Sequence, residues 1–305
     1  MAEQAEKKRK PDPRRGTMQT REAYIAARRE EWGERDAERF RLAEELRDNR
    51  FPISEDDGYR ILPPGSIPEA DEVIAHANAV IDSIGHDRLV SEFNPRHDTM
   101  ARGFLPPEVK EAGSPYLRFA LNPDVIEPIS AYLGVVPIIF KFDVWYSPPA
   151  TAEDSIRNAQ LWHMDGDDLR QIKVWLHLND IERASGPLTA LSAAQSKAFA
   201  DSIGYDTSVE YRITDEKMYA FADESELVRF EGPPGTVDVV DTSRCFHFGS
   251  RVDEGVPALA RRVMMIQYLT PYSFNFKQDH REEAQFRHLA SSASSDLEAL
   301  VLGTR

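Results

Sequence analysis

QIKVWLHLND, residues 171–180, alternates Ile172, Val174, Leu176 and Leu178 with Lys173, Trp175, His177 and Asn179. Successive side chains on a strand point to opposite faces, so the stretch predicts a strand with one apolar face for the core and one mixed face for a pocket. Lys173 and His177 become candidate pocket residues on that ground. The preceding stretch, IIFKFDVWYS at 138–147, alternates in the same way and places Lys141, Asp143 and Trp145 on its mixed face. Downstream, GPLTALS (186–192), LVRFEG (227–232), TVDVVD (236–241), RCFHFGS (244–250) and ARRVMMIQYLT (260–270) are short and rich in β-branched or aromatic residues. Gly, Pro, Asp and Ser separate them, as strand boundaries require.

Upstream the period changes. Residues 68–84 carry Val73, Ile74, Ala77, Val80, Ile81 and Ile84, an apolar stripe at helical spacing. Pro123 to Leu133 predicts a second helix, with proline in its first turn and Gly134 as its stop. The tail from His280 to Leu302 predicts another. Helices followed by many short strands predict a mainly β fold, a sandwich or jelly roll with a helical flank.

Residues 1–50 read differently: a basic run at 7–10, prolines at 11 and 13, then a Glu-, Arg- and Ala-rich stretch from Thr20 to Asn49. This predicts a disordered tip and a charged helical arm that packs on the main domain or on a second subunit of a homo-oligomer. Residues 51–305 are expected to form one domain. Acidic residues outnumber basic ones 52 to 37, which argues against a nucleic-acid partner. No apolar run reaches the roughly 18 residues that span a bilayer. The basic N-terminus has no apolar stretch behind it, so no secretory signal is predicted. A single cysteine, Cys245, excludes an internal disulfide framework and a thiolate zinc cluster, and it predicts a cytoplasmic location.

One constellation carries chemistry. His163-Met164-Asp165 sits in QLWHMD (160–165), and residues i and i+2 on an extended chain face the same side, roughly 6–7 Å apart. An imidazole and a carboxylate are two of the three ligands of the facial triad that holds non-haem Fe(II). His247 is the candidate third ligand. If positions 247 and 261 flank a hairpin centred near Glu254, Arg261 lies opposite His247, where its planar fork suits the far end of a metal-bound dicarboxylate. Cys245 reads as a small buried residue.

Together these residues resemble the phytanoyl-CoA dioxygenase-like branch of the Fe(II)/2-oxoglutarate oxygenases, over residues 136–270. QLWHMD matches the first two ligands, VWLHLNDIERASGPL the strand and turn that follow, DTSRCFHFGS the distal histidine, and RRVMMIQY the arginine strand. The resemblance implies a double-stranded β-helix, Fe(II) held by His163, Asp165 and His247, and 2-oxoglutarate and O2 as cosubstrates. It implies that Arg261, with Arg262 as the alternative, binds the far carboxylate of 2-oxoglutarate, and that Trp175 and Ser250 contact the cosubstrate. The expected reaction is oxidation of a small organic metabolite with release of succinate and CO2. Hydroxylation is the default outcome; desaturation, epoxidation and cyclisation are the others. Two alternatives stay open: a jelly-roll metal enzyme that does not use 2-oxoglutarate, and a non-catalytic binding protein on the same fold. The sequence departs from the family pattern at two places. Phe248 and Gly249 precede Ser250 where Gly-Ser directly follows the histidine, and SAAQS (192–196) replaces Pro-Gly-Ser-His.

Overall fold

The alternation in 171–180 is realised as the central element of a large antiparallel sheet. The computed structural model describes residues 12–92, 101–102, 106–151, 155–255, 259–277 and 280–304. Its strands are β1 (Tyr59–Leu62), β2 (Ala101–Arg102), β3 (Ile138–Ser147), β4 (Gln171–His177), β5 (Thr189–Ala190), β6 (Val228–Arg229), β7 (Val237–Asp241), β8 (His247–Phe248) and β9 (Arg261–Leu269). Six of them form a sheet of order β1-β7-β4-β9-β3-β2, and three form a smaller sheet of order β6-β5-β8, every pairing antiparallel. Residues opposite one another share a face. Lys173 pairs with Gln267 and Trp175 with Met265 across β4 and β9, while Lys141 and Asp143 meet the same two β9 residues from β3. The mixed faces anticipated for β3 and β4 are therefore a single surface, and it looks toward the smaller sheet. Trp175, Val263 and Met265 of the large sheet pack with Leu188, Ala190 and Phe230 between the two.

The opposite face of the large sheet is apolar and covered by helices. Ile172, Val174, Leu176, Met264 and Ile266 pack with Val73, Ala77, Ile81, Phe119 and Ile129 in the main core. Each such side chain contributes about 1.5–3 kcal/mol when fully buried, so this face anchors the sheet. The helices upstream of β3 are α1 (Met18–Trp32), α2 (Ala37–Glu45), α3 (Ala70–Ile84), α4 (His86–Ser91), α5 (Pro115–Leu121) and α6 (Pro123–Leu133). Those downstream are α7 (Ala193–Ile203), α8 (Asp215–Tyr219), α9 (His280–Glu283) and α10 (Asp296–Val301). For α6 the capping is as anticipated: Pro123 opens the helix, Asn122 accepts from the Asp124 amide at 2.9 Å, and Gly134 ends it in the left-handed region.

The charged N-terminal stretch is two helices, broken at Gly33, and both pack on the body of the chain. Their buried arginines hold them there by donating to backbone carbonyls. Arg21 donates to Asp168, Arg28 to Ser273, and Arg39 to Val136 and Leu300. The basic run at 7–10 lies outside the described residues.

Two expectations are corrected. The tail is not one helix: α9, a 3-10 turn at Arg287–Ser292 and α10 divide it. The serine-rich run at 291–295 supplies the break, because Ser295 caps α10 by accepting from the Glu298 amide at 3.2 Å. Nor do positions 247 and 261 face each other across a hairpin. β8 pairs with β5 in the small sheet and β9 with β3 and β4 in the large one, so the intervening segment crosses between sheets.

That crossing leans on Gly186, where φ is +64° and a Cβ would stand 2.5–2.6 Å from the Arg251 backbone. Glycine is required there for both conformation and space. Gly186→Ala is expected to cost about 2–4 kcal/mol, from the left-handed strain and the enforced backbone shift together. Denaturant unfolding of the two proteins checks it.

Candidate metal centre

His163 and Asp165 lie on an extended segment clamped from both sides. On one side His163 and His247 exchange backbone hydrogen bonds, N–H to O at 3.0 and 2.9 Å, and the Asp165 amide donates to Thr242 O at 2.7 Å. On the other, the Ile213 amide donates to Trp162 O at 2.8 Å. Alternation then sorts the side chains. Trp162, Met164, Phe246 and Phe248 enter a small apolar core with Ile213, while His163, Asp165 and His247 turn to the opposite side.

There the three ligand atoms lie within 4.8 Å of one another, all buried. His163 Nε2 is 3.8 Å from Asp165 Oδ1, and His247 Nε2 is 3.8 Å from Asp165 Oδ2. Each imidazole donates through Nδ1 to a carbonyl two residues back, His163 to Leu161 at 2.8 Å and His247 to Cys245 at 2.9 Å. That fixes the tautomer and leaves both Nε2 lone pairs aimed at the shared space. Burial holds both imidazoles below the ordinary histidine range, against the opposing pull of Asp165, so they stay neutral as ligands must. Asp165 is the reverse case. Burial opposes its charge, but the Lys173 ammonium is the largest effect against it and helps keep the carboxyl well below the usual range. Lys173 Nζ forms an ion pair with Oδ2 at 2.7 Å.

Arg261 opens β9 on the inner face and is 4% exposed. Its Nη2 donates to Ser250 Oγ at 2.7 Å, and Ser250 Oγ also meets Ser147 Oγ at 2.9 Å. Nε makes no hydrogen bond, and the guanidinium has no carboxylate partner among the described residues. Burial draws its pKa down to about 10, against the pull of Asp238, so it remains charged at neutral pH. Ser250 is three residues beyond His247, a chain path of about 10 Å. Arg262 points the other way, to Asp82 at 2.8 Å and Asn78 at 3.1 Å on α3.

The remaining candidates divide. Trp175 is buried on the inner face between Met265 and Asp238. Lys141 and Asp143 pair with each other beside Trp145 on that face. His177 faces inward too, but both ring nitrogens are engaged, Nε2 with Asp238 Oδ2 at 2.7 Å and Nδ1 with Gly232 O at 3.3 Å. Asp167 is held by Gln267 and Asn275, and Asp168 by Thr270, so neither joins the cluster. Cys245 is buried, and burial pushes its thiol up. Sequence reasoning missed Tyr211 and Arg212, which reach the site from the segment beside Trp162; no motif marks YRI, and only the pairing reveals them.

No family model and no curated protein matches the chain. Solved structures do. The apoform of EctD from S. alaskensis shares 19% identity, covers 73% of this chain and 79% of its own, and superposes with a TM-score of 0.52. The same protein with bound Fe gives 19%, 73%, 78% and 0.51. The shared fold is the jelly roll, or double-stranded β-helix.

Ser250 carries two buried contacts, so its removal has a measurable expectation. Ser250→Ala leaves Arg261 Nη2 without its acceptor and is expected to cost about 1–3 kcal/mol in denaturant unfolding.

Proposed function

We propose that the chain is a non-haem Fe(II)/2-oxoglutarate-dependent oxygenase acting on a small organic metabolite. The observation that carries the reading is Arg261: a buried cation without a carboxylate partner among the described residues, on the inner face, hydrogen-bonded to Ser250 three residues beyond the ligand candidate His247. An unpaired buried charge is expensive, and a dicarboxylate bound between Arg261 and the metal would neutralise it. The EctD structure of the same fold holds Fe.

The residues fit the metal. Nitrogen and oxygen ligands sit about 2.0–2.2 Å from such ions, so ligand atoms 3.8 Å apart flank a space one ion fills. The donor set of two imidazoles and one carboxylate is the Fe(II) facial triad, which leaves open positions for 2-oxoglutarate and O2. When bound, the metal and its cosubstrates supply the oxidising chemistry, with succinate and CO2 as by-products. The chain supplies the rest. The Nδ1–carbonyl bonds of His163 and His247 hold the rings in place, and Lys173 keeps Asp165 ionised and oriented. Arg261, steadied by Ser250, grips the far carboxylate. Trp175 and Met265 form a wall that excludes water.

His247→Ala is expected to weaken Fe(II) uptake, measured by equilibrium dialysis, and to abolish succinate formation. Arg261→Ala is expected to raise the KM for 2-oxoglutarate about 30- to 1000-fold, the equivalent of roughly 2–4 kcal/mol, with Fe(II) binding retained. Arg262→Ala, whose side chain is on the outer face against Asp82, should leave that KM nearly unchanged. A large loss in Arg262→Ala and none in Arg261→Ala would overturn the assignment.

A further inference from the structure

We propose that Arg212, with Arg15 beside it, holds an oxyanionic group of the substrate next to the metal centre, so that the substrate is a small organic acid or a phosphate ester. The inference rests on the oxygenase reading and extends it to substrate class.

Tyr211 places Arg212. Trp162 and Ile213 form an antiparallel bridge, and two residues before Ile213 the Tyr211 ring stands 6.0 Å from the His163 ring. Ile213 enters the apolar core with Trp162, while the Arg212 guanidinium lies 4.9 Å from the centre of the Tyr211 ring. The electrostatics agree: burial and Asp165 act more strongly on His163 and His247, but the charge of Arg212 reaches both, and Asp165 acts on Arg212 in return.

Arg212 has no ordinary structural employment. Its Nη1 is buried and makes no hydrogen bond. Other buried arginines of this chain donate to carbonyls, as Arg21 and Arg39 do, and other surface arginines meet carboxylates, as Arg251 meets Asp215 and Arg88 meets Glu92. Arg212 instead lies 4.9 Å from the centre of the Tyr211 ring, and Arg15 lies 4.2 Å from the same ring. Among the described residues neither guanidinium has a carboxylate partner. Two cations gathered on one ring repel unless an anion joins them, and a chain with 52 acidic residues has no shortage of internal counter-ions. Arg15 also lines a cleft of about 1300 Å³ with Arg28 and Lys277, in which Arg14 is paired with Asp12. The cosubstrate does not compete for this position. Arg261 is bonded to Ser250 beyond His247, whereas Arg212 stands on the Tyr211 ring beside His163, so the two arginines would serve different anionic groups.

The test uses the full chain, loaded anaerobically with Fe(II) and 2-oxoglutarate so that nothing turns over. Calorimetric titration compares hexanoate and hexyl phosphate with the uncharged hexanamide and hexanol. At least one anion is expected to bind about 10- to 100-fold more tightly than its neutral counterpart. Hexanoate or hexyl phosphate alone showing the preference identifies which oxyanion the site takes. Arg212→Gln should erase the preference and Arg212→Lys restore part of it, while the 2-oxoglutarate titration, followed by its visible charge-transfer band on Fe(II), stays the same. Equal binding of charged and neutral probes, an unchanged preference in Arg212→Gln, or no binding of either anion overturns the inference. Absence of the charge-transfer band from wild-type protein is a different failure: it brings down the oxygenase reading, and this inference with it.

Discussion

The reciprocal pair of backbone hydrogen bonds between His163 and His247 is the constraint on which the site depends. It joins two segments far apart in the chain and fixes their register to the residue. A slip of one place in either segment would send its imidazole into the apolar core and bring Trp162 or Phe246 to the metal side. The flanking structure guards against that slip. Thr242 fixes Asp165, Ile213 fixes Trp162, and the core between them accepts only the apolar half of the alternation. Ligand geometry is thus a product of packing on the face that carries no chemistry.

Charge is arranged with comparable care. The chain is strongly acidic, yet the interior near the ligands gathers Lys173, Arg212 and Arg261. Lys173 is matched by Asp165, whereas the two arginines have no carboxylate partner among the described residues. Buried cations without counter-ions cost stability, and proteins keep them where a ligand completes the pair. On the proposed reading, one arginine serves the cosubstrate and the other the substrate.

Much of this was legible in the sequence because it depends on period. Alternation in 171–180 and 138–147 put Lys173, Trp175, Lys141 and Asp143 on one surface, and the large sheet keeps them there. The i, i+2 spacing of His163 and Asp165 carried over into convergent side chains. The phase of β9, Arg261 inward and Arg262 outward, follows the same rule. What depends on long-range pairing was not legible. The hairpin expected between 247 and 261 is a crossing between sheets, because turn residues at 253–257 suit either connection and only tertiary packing chooses. The fate of His177, closed off by Asp238, is set by a strand sixty residues on. Arg212 lies in a loop without periodicity, and a single bridge at Ile213 ties that loop to the segment of His163. The charged N-terminal helices gave a weak apolar stripe because buried arginines, rather than leucines, attach them to the body.

The most direct test of the account is a crystal structure of the full chain grown without oxygen in the presence of Fe(II) and 2-oxoglutarate, with anomalous data at the iron edge. The account predicts one iron peak between His163 Nε2, His247 Nε2 and the Asp165 carboxylate, and the far carboxylate of 2-oxoglutarate on Arg261. Iron bound elsewhere, or a 2-oxoglutarate whose far carboxylate rests on a residue other than Arg261, would contradict it.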